Sequence, residues 1–421
     1  MRRWRILALL LVALAVALVA LWIGRPRPSL VTAGLEVPPP GRWRTLPVER
    51  RSGSGGGSAE ERARMLSLPY AAGTQRARDG AQTGVVALDV AKAAPGINLE
   101  VSGHGPEAVL RSLDGALLGR WKMPFERAFP EQSPNVETAF FRRAALLPEG
   151  RLIALYQTGG LVELDRSSAI LRRCPGSFYN DFFVAADGTL WTLAKEARPG
   201  SEGREVLEDF AVALAPGDCR EVQRLSLPAA LAASPFAAVL EPRGEAGDVY
   251  HSNTIEVFDG RLASASPLFA AGHLLVSLRE IDTLAILDPS DGEVLWAQRG
   301  PWRRQHQPTP QADGTLLVFD NRGFQGASRL LTVDPASGDL PWQWGGDPPR
   351  AFFSREAGSV QRLTNGNLLV TESERGRAFE LDENGQVVWE FQTPHRAGRD
   401  GSLVATLMEV VRYPAALWEA K

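Results

Sequence analysis

After about residue 80, the apolar positions of this chain come in runs of five to seven residues that end at glycine-containing turns. Three runs read Gly-x-Leu-Leu-Val, at residues 272–276, 314–318 and 366–370. Runs of this length, alternating or fully apolar, are typical of β-strands, whereas an amphipathic helix repeats every 3.6 residues over a longer stretch. The pattern therefore predicts an all-β chain.

A longer motif repeats along the same half of the chain. An aspartate ends one strand, a glycine-containing turn follows, and the next strand carries a tryptophan, at residues 288–296, 334–342 and 382–389. Weaker copies of these strand patterns occur at residues 113–121, 150–154 and 188–192. A period in the forties with four short strands per unit is typical of β-propellers, and six blades fit between about residues 83 and 420. We expect the motif tryptophans to pack between blades: Trp296, Trp342 and Trp389.

The N-terminus has a different pattern, in which residues 6–24 carry no charge and arginines lie on both sides. At 1.5 Å per residue this run spans about 28 Å, close to the thickness of the hydrocarbon layer of a bilayer. Since no small-x-small cleavage site lies at the end of the apolar run, just before the second arginine group, residues 1–28 are predicted to be an uncleaved transmembrane helix. Residues 29–80, rich in Pro, Gly and Arg, are predicted to be a flexible tether. We expect residues 81–421 to be the propeller domain, held in the periplasm by a single-pass anchor in the inner membrane.

Composition narrows the possible partners and cofactors. The formal net charge is −3, and because the first 27 residues contain five arginines and no acid, the remainder carries −8, which argues against a nucleic-acid partner. No spacing of Cys and His indicates a zinc site, and nothing in the repeats requires a quinone or metal, so no cofactor is expected. Cys174 and Cys219 could pair in an oxidising compartment, although two unpaired, partly buried thiols are the simpler expectation.

Polar residues recur at equivalent places in the predicted blades. In the blade around Gly314 the four strands, counted from the axis outward, are predicted at residues 305–311, 315–319, 329–333 and 340–344. Because neighbouring strands are antiparallel, the start of the innermost strand and the turn between the second and third strands share one face. Residues seven to nine positions before the turn glycines are therefore expected at one mouth of the channel: Arg142, Asn180, His251, Asn253 and His306. Arg279 and Asn321 lie in turns on that face, and the set is predicted to form an anion-binding pocket.

At these residues the sequence resembles the bacterial arylsulfate sulfotransferases, which are β-propellers of the PQQ-like type. The resemblance rests on residues 249–255, 275–283, 305–306, 313–321 and 328–329, and extends over about residues 140–395. It implies transfer of a sulfuryl group, without a nucleotide sulfate, from a phenolic sulfate ester to an enzyme histidine and then to a second phenol. By that resemblance His306 is the nucleophile. His251, Asn253 and Arg279 would hold the sulfuryl oxygens and assist the leaving and attacking phenols.

The implied chemistry suits these residue types. Sulfuryl transfer is similar to phosphoryl transfer, and a loose transition state needs positioning and charge neutralisation more than acid strength. A neutral imidazole is a competent nucleophile near pH 7, and Asp320 or Asn321 is expected to fix the tautomer of His306. We interpret Asn180, Asn321 and Arg142 as substrate-binding residues.

One departure from the family pattern concerns proton transfer. The family has a His-His-Asp-Phe run where this chain has Tyr-Asn-Asp-Phe, at residues 179–182. Asn180 therefore stands where the family has a further active-site histidine, and it can donate a hydrogen bond but cannot exchange a proton near pH 7. The alternative function is a non-catalytic envelope propeller that scaffolds partners and keeps a degenerate site.

Overall fold

The computed structural model describes residues 73, 75–77, 80–135, 138–200, 204–240, 247–324, 327–348, 350–398 and 400–419. The chain divides after residue 54 into two units, and all of these residues belong to the second one. The predicted membrane span, residues 1–28, and most of the predicted tether lie outside the described residues. Within the described ranges, no helix is long and apolar enough to cross a bilayer.

Six antiparallel sheets within the described ranges, five of four strands and one of five, form the blades of a β-propeller, which confirms the predicted architecture. The N-terminal strands are β1 (Gly84–Leu88), β2 (Ile97–Ser102), β3 (Glu107–Ser112) and β4 (Leu117–Lys122). Blade 2 consists of β5 (Arg143–Leu146), β6 (Leu152–Tyr156), β7 (Gly160–Leu164) and β8 (Ile170–Pro175). Blade 3 consists of β9 (Phe178–Val184), β10 (Leu190–Pro199), β11 (Glu205–Leu214) and β12 (Glu221–Ser226).

The next three blades have the same order, with the first strand innermost. Blade 4 consists of β13 (Ser252–Val257), β14 (Leu274–Leu278), β15 (Thr283–Asp288) and β16 (Glu293–Arg299). Blade 5 consists of β17 (His306–Pro310), β18 (Leu316–Phe324), β19 (Ala327–Val333) and β20 (Trp342–Gly345). Blade 6 consists of β21 (Ser359–Arg362), β22 (Leu368–Glu372), β23 (Arg377–Leu381) and β24 (Val387–Gln392), and β1 extends its outer edge.

The remaining elements are short connections and one long strand. β25 (Arg396–Ala397) and β26 (Leu403–Val404) form a small hairpin, and β27 (Leu407–Tyr413) follows it. The α-helices of the described residues are α1 (Phe125–Ala128), α2 (Leu227–Ala232) and α3 (Ala416–Glu419). Short 3-10 helices lie at Pro148–Gly150, Ala237–Leu240, Pro267–Phe269 and Ser373–Arg375.

Strands from the two ends of the domain close the propeller. Blade 1 consists of β27 as the innermost strand, followed by β2, β3 and β4, so a C-terminal strand completes a sheet of N-terminal strands. A buried ion pair joins Arg412 of β27 to Glu380 of β23 in blade 6. Arg412 Nε also donates to Asn98 Oδ1 in β2 over 2.9 Å. One guanidinium therefore contacts both of the blades that meet where the ring closes.

Apolar side chains of adjacent blades pack together and form the core. Between blades 4 and 5, Trp296 and Ile286 belong to the same buried cluster as Val318. At the junction of blades 6 and 1, Trp389 is buried, and its Nε1 donates to the carbonyl of Leu113 over 2.8 Å. The predicted packing role is confirmed for these two tryptophans.

The expectation for Trp342 is wrong, because its side chain is 38% exposed. Trp344 lies two residues further on, on the same face of β20, and it is the buried residue of the pair. Its ring packs against Phe352 and against Phe379 of blade 6. Trp344 therefore fills the space between blades 5 and 6 that the repeat motif assigns to Trp342.

Cys174 of β8 and Cys219, in the turn before β12, form a disulfide with their Cα atoms 5.3 Å apart. The expectation of two unpaired thiols is therefore wrong. The bond links blade 2 to blade 3, so the pairing depends on how the two blades stack, which spacing along the chain does not determine.

Loss of this disulfide should destabilise the propeller. The bond closes a segment of 45 residues, and the chain-entropy relation assigns about 4 kcal/mol to a loop of that length. We expect the C174A/C219A variant to lose up to about 4 kcal/mol of unfolding free energy in guanidinium titrations. A reductant should lower the midpoint of the wild type and leave that of the variant unchanged. Equal midpoints for oxidised and reduced wild type would contradict this prediction.

Candidate functional site

A small cavity of about 20 Å³ lies where the innermost strands of the blades converge. All six blades contribute to its lining, through strand residues or the residues just before them: Arg142, Arg143, Asn180, Asn253, Thr254, His306, Gln307, Gly358, Met408 and Glu409. Its volume is that of about one water molecule. Four of the predicted site residues, Arg142, Asn180, Asn253 and His306, therefore share one cavity.

The innermost strands of blades 3, 4 and 5 are irregular where they reach this cavity. Each has a register shift against the next strand, at Asn180, at Asn253 and just after His306. Backbone φ is positive at Asn180 (57°), His251 (50°) and Gln307 (46°). Bulges re-aim side chains, and left-handed backbone at non-glycine residues is concentrated at functional sites. The irregularities explain why polar side chains of these strands point to the axis.

His306 is the first residue of β17, and its ring is held in one orientation. Its Nδ1 lies 2.7 Å from Asn321 Oδ1 and 3.0 Å from the carbonyl oxygen of Arg304. Asn321 Nδ2 donates to the carbonyl oxygens of Ser354 and Ala357, both over 2.8 Å, so its own oxygen faces the ring. Two acceptors beside Nδ1 require that this nitrogen carries the proton. Of the two predicted candidates, Asn321 is the residue that contacts the ring.

The other nitrogen of His306, Nε2, is buried and has no hydrogen-bond partner. It therefore carries an unprotonated lone pair at a ring that lines the cavity. Burial and the positive charges of Arg279 and Arg142 lower the pKa of His306 to about 3. The ring is neutral at physiological pH, which is the form that acts as a nucleophile.

Two residues of blade 4 hold the backbone on either side of His306. Asn253 Nδ2 donates to the carbonyl oxygen of Gln305 over 2.8 Å, and Thr254 Oγ1 accepts from the backbone N–H of Gln307 over 3.0 Å. Asn253 thus uses one amide proton to position the strand of His306. This positioning contact adds to the role that the resemblance implies for Asn253.

His251 immediately precedes β13 and belongs to a buried network of charged groups. Its Nδ1 lies 2.5 Å from Asp248 Oδ2, and Lys195 Nζ lies 2.5 Å from the same oxygen. Although burial raises it, the Lys195 ammonium and the His251 ring hold the pKa of Asp248 well below its usual range. Burial and the charges of Arg279 and Lys195 lower the pKa of His251 well below its ordinary value. A neutral ring that donates from Nδ1 to Asp248 leaves Nε2 as an acceptor.

Asn180 of β9 faces that acceptor nitrogen, with its Nδ2 3.5 Å from His251 Nε2. Its Nδ2 also donates to the carbonyl oxygen of Ser252 over 2.6 Å. Gln157 fixes the amide from the other side, since its Nε2 donates to Asn180 Oδ1 over 3.1 Å. Asn180 therefore connects blades 2, 3 and 4 and lies between His251 and the cavity.

Arg279, in the turn after β14, is engaged by carboxylates. Its Nη2 lies 2.8 Å from Glu280 Oε1 and its Nη1 lies 3.5 Å from Glu356 Oε2. Its charge nevertheless lowers the pKa of both His251 and His306. Arg279 is thus close enough to both rings to act on them electrostatically, and its guanidinium bridges the blade 4 turn to the segment before β21.

A further group of charged residues includes two that line the cavity, Arg143 and Glu409. Arg143 Nη1 lies 2.6 Å from Asp181 Oδ1, and its Nε lies 3.6 Å from Glu409 Oε2. Burial raises the pKa of Asp181 to about 6, against the opposing charge of Arg143. Burial and the Asp181 charge raise the pKa of Glu256 to about 8. Among the described residues, no group of three or more His, Cys, Asp or Glu side chains is arranged to hold a metal ion.

The sequence reasoning missed Asp248, Lys195 and Gln157. Asp248 carried a usable signal, because it lies three residues before His251 and a carboxylate near a site histidine commonly orients the ring. Lys195 directly follows a largely apolar stretch at residues 190–194, which is consistent with a lysine on a buried strand. Gln157 gave no signal, since its contact with Asn180 depends on the stacking of blade 2 on blade 3.

The pKa of His306 gives a test of its surroundings that does not depend on activity. Between about pH 6.5 and pH 3 the unfolded chain binds a proton at this ring that the folded chain does not, so stability rises with pH in this window. We expect ¹⁵N-histidine spectra of the folded protein to show the neutral Nδ1–H form of His306 down to about pH 5. The His306→Gln variant identifies the signals among those of the five histidines. A folded-state titration of His306 near pH 6.5 would contradict the assignment.

A model of the arylsulfotransferase (ASST) family matches residues 177–394, just over half of the chain. No curated protein matches the sequence. Similar solved structures include a protein of unknown function from Bacteroides caccae, at 12% identity and a TM-score of 0.48, covering 76% of this chain and 99% of that one. A streptogramin B lyase is 10% identical with a TM-score of 0.45, covering 79% and 98%. BamB of Moraxella catarrhalis is 13% identical with a TM-score of 0.35, covering 74% and 77%.

Proposed function

The chain belongs to the arylsulfotransferase (ASST) family, and we propose that it moves a sulfuryl group from a phenolic sulfate ester to a second phenol through a sulfohistidine on His306. The observation that carries the proposal is the buried, unpartnered Nε2 of a neutral ring that lines the axial cavity. A lone pair in this position is costly to leave without a hydrogen bond unless a bound group uses it. Asn321 supports the role because it fixes the proton on Nδ1.

In the first half-reaction, His306 Nε2 attacks the sulfur of the donor. The N–S bond forms as the bond between sulfur and the aryl oxygen breaks, and the phenolate leaves with the electron pair. The sulfuryl oxygens carry the negative charge throughout, so positive charge nearby lowers the barrier. Arg142 supplies that charge at the cavity, and Arg279 supplies it from the adjoining turn.

In the second half-reaction, the oxygen of the acceptor phenol attacks sulfur. The N–S bond breaks, and its electron pair returns to His306 Nε2 as the lone pair. The acceptor must lose its proton, and His251 Nε2 is the base that receives it once the Asn180 amide has moved aside. Asp248 accepts from Nδ1 of that ring, and burial and the charges of Arg279 and Lys195 lower the ring's pKa, so Nε2 is unprotonated. The proton then passes to water or to the next departing phenolate. His251 thereby takes over a proton transfer that Asn180 cannot perform.

The reaction requires the cavity to open, because about 20 Å³ accommodates only one water molecule. We further propose that the propeller acts in the periplasm on the outer side of the inner membrane. The Cys174–Cys219 bond supports an oxidising compartment. Free thiols at both positions in protein alkylated directly in cells would contradict this location.

The nucleophile can be tested by intact mass. After exposure to 4-nitrophenyl sulfate without an acceptor, we expect the protein to gain the mass of one sulfuryl group, and peptide mapping to assign it to His306. H306A should gain no mass and transfer nothing. Because it removes a buried ring and leaves Asn321 Oδ1 without its donor, we expect its unfolding free energy to fall by about 1–3 kcal/mol with the propeller still folded. H273Q is the matched control, since His273 bonds to the Leu268 carbonyl in a turn before β14 and should leave the adduct intact.

If neither the adduct nor transfer is seen with several aryl sulfates, the transferase proposal fails and the non-catalytic scaffold takes its place. Full transfer by H306A would leave the family assignment unchanged and would show that His306 is not the nucleophile. The scaffold alternative is favoured by Asn180, an amide at the position where the family has a proton-exchanging histidine.

The role of Asp248 can be separated by half-reaction. D248N removes the charge that orients His251, and a general base typically contributes about 10²-fold or more to a proton transfer. We expect discharge of the sulfohistidine by phenol to slow by at least about 10²-fold, while discharge by 4-nitrophenol, which is partly ionised already, slows much less. Formation of the adduct from 4-nitrophenyl sulfate should change little. D259N, at an exposed turn, is the control, and equal slowing with both phenols would show that Asp248 is only structural.

A further inference from the structure

Four arginines surround two glutamates beside the site, and we name this group the entrance cluster: Arg279, Arg304, Arg322, Arg355, Glu280 and Glu356. Glu356 is shared by all four. Its Oε1 contacts Arg322 Nη2 and lies 3.0 Å from Arg355 Nε, and its Oε2 lies 3.5 Å from Nη1 of both Arg279 and Arg304. Glu280 accepts from two of them, at 2.8 Å from Arg279 Nη2 and 2.9 Å from Arg304 Nη1.

The entrance cluster has more positive than negative charge. Guanidinium groups stay protonated in proteins, so four positive charges face two carboxylates. Burial and the charges of Arg304, Arg355 and Arg279 lower the pKa of Arg322 in spite of Glu356, which indicates repulsion among the arginines. Glu374 borders the cluster, but its carboxylate accepts from the backbone N–H groups of residues 355 and 356, and burial raises its pKa.

Hydrogen bonds connect the entrance cluster to the ring of His306. The carbonyl oxygen of Arg304 lies 3.0 Å from His306 Nδ1. Asn321, which holds the other side of Nδ1, also binds the carbonyl oxygens of Ser354 and Ala357, on either side of Glu356. The side chains become more exposed from Arg279, at 7%, to Arg355, at 57%. A group of positive charges thus runs from the surface to the residues beside His306.

We propose that the entrance cluster binds a second anionic group of the substrate, a carboxylate or sulfate, so that the preferred donors and acceptors are phenols that carry such a group besides the reacting oxygen. Glu356 occupies this position when no substrate is bound, and the substrate's anion displaces its carboxylate. Guanidiniums hold planar oxyanions through paired N–H donors, so one carboxylate can replace another at little cost. The proposal rests on the proposed function for the identity of the reacting oxygen.

Sulfonates test the entrance cluster without turnover, because their carbon–sulfur bond gives no sulfuryl transfer. We expect wild type to bind 4-sulfobenzoate about tenfold more tightly than benzenesulfonate in calorimetry at low salt. The difference should shrink as salt is added. R322Q/R355Q should bind the two probes alike, and E356Q should bind 4-sulfobenzoate more tightly than wild type. R261Q is the control, since Arg261 pairs with Asp259 at an exposed turn, and it should keep the tenfold difference.

Turnover then links the entrance cluster to substrate choice. The ratio of kcat/KM for 4-carboxyphenyl sulfate over phenyl sulfate should fall about tenfold in R322Q/R355Q and stay constant in R261Q. Equal binding of the two sulfonates by wild type would contradict the proposed role of the entrance cluster, whether or not the enzyme transfers sulfuryl groups. Selective binding without any turnover would instead support anion binding by the entrance cluster and contradict the proposed sulfuryl transfer.

Discussion

The geometry of the axis depends on closure of the ring by β27, and the buried ion pair between Arg412 and Glu380 stabilises that closure. The ion pair lies where blade 1, completed by β27, meets blade 6, and it also engages Asn98 of β2. Removing one partner of a buried pair leaves an uncompensated charge, which typically costs about 3–5 kcal/mol. Because each blade supplies part of the cavity lining, a break at this junction would disperse residues from all six blades. Closure of the ring and assembly of the site are therefore one event.

The regular strands of a blade form its packed core, whereas the irregular innermost strands carry the residues of the site. The second and third strands are buried between neighbouring blades and pair with few irregularities, as β14 and β15 do. The innermost strands of blades 3, 4 and 5 are bulged at the cavity and adopt left-handed backbone there. The regular strands supply the hydrogen bonds and apolar contacts that hold such strained backbone in place. Polar atoms at the axis are then oriented by side chains from neighbouring blades, as Asn253 does for the strand of His306.

The architecture was predictable because each blade repeats its turn glycines and apolar strands, and that register also predicted which residues approach the axis. What the sequence could not supply were contacts between blades. The Cys174–Cys219 bond, the burial of Trp344 in place of Trp342, and the engagement of Arg279 by Glu356 all depend on how two blades stack. Asp248 was accessible to sequence reasoning through its spacing from His251, whereas Gln157 was not. The membrane segment remains a prediction, since it lies outside the described residues.

The convergence of all six blades on a cavity of about 20 Å³ has a consequence for how such a site can diversify. The number of blades sets the circumference of the ring, and hence the distance between side chains that face each other across the axis. A seventh blade would move His306 away from Asn180 and Arg142 even if every residue were retained. Many repeat proteins tolerate the gain or loss of a whole repeat, but in this molecule such a change would separate the residues of the site. Its specificity can change only through side chains at the axis and through the turns above it.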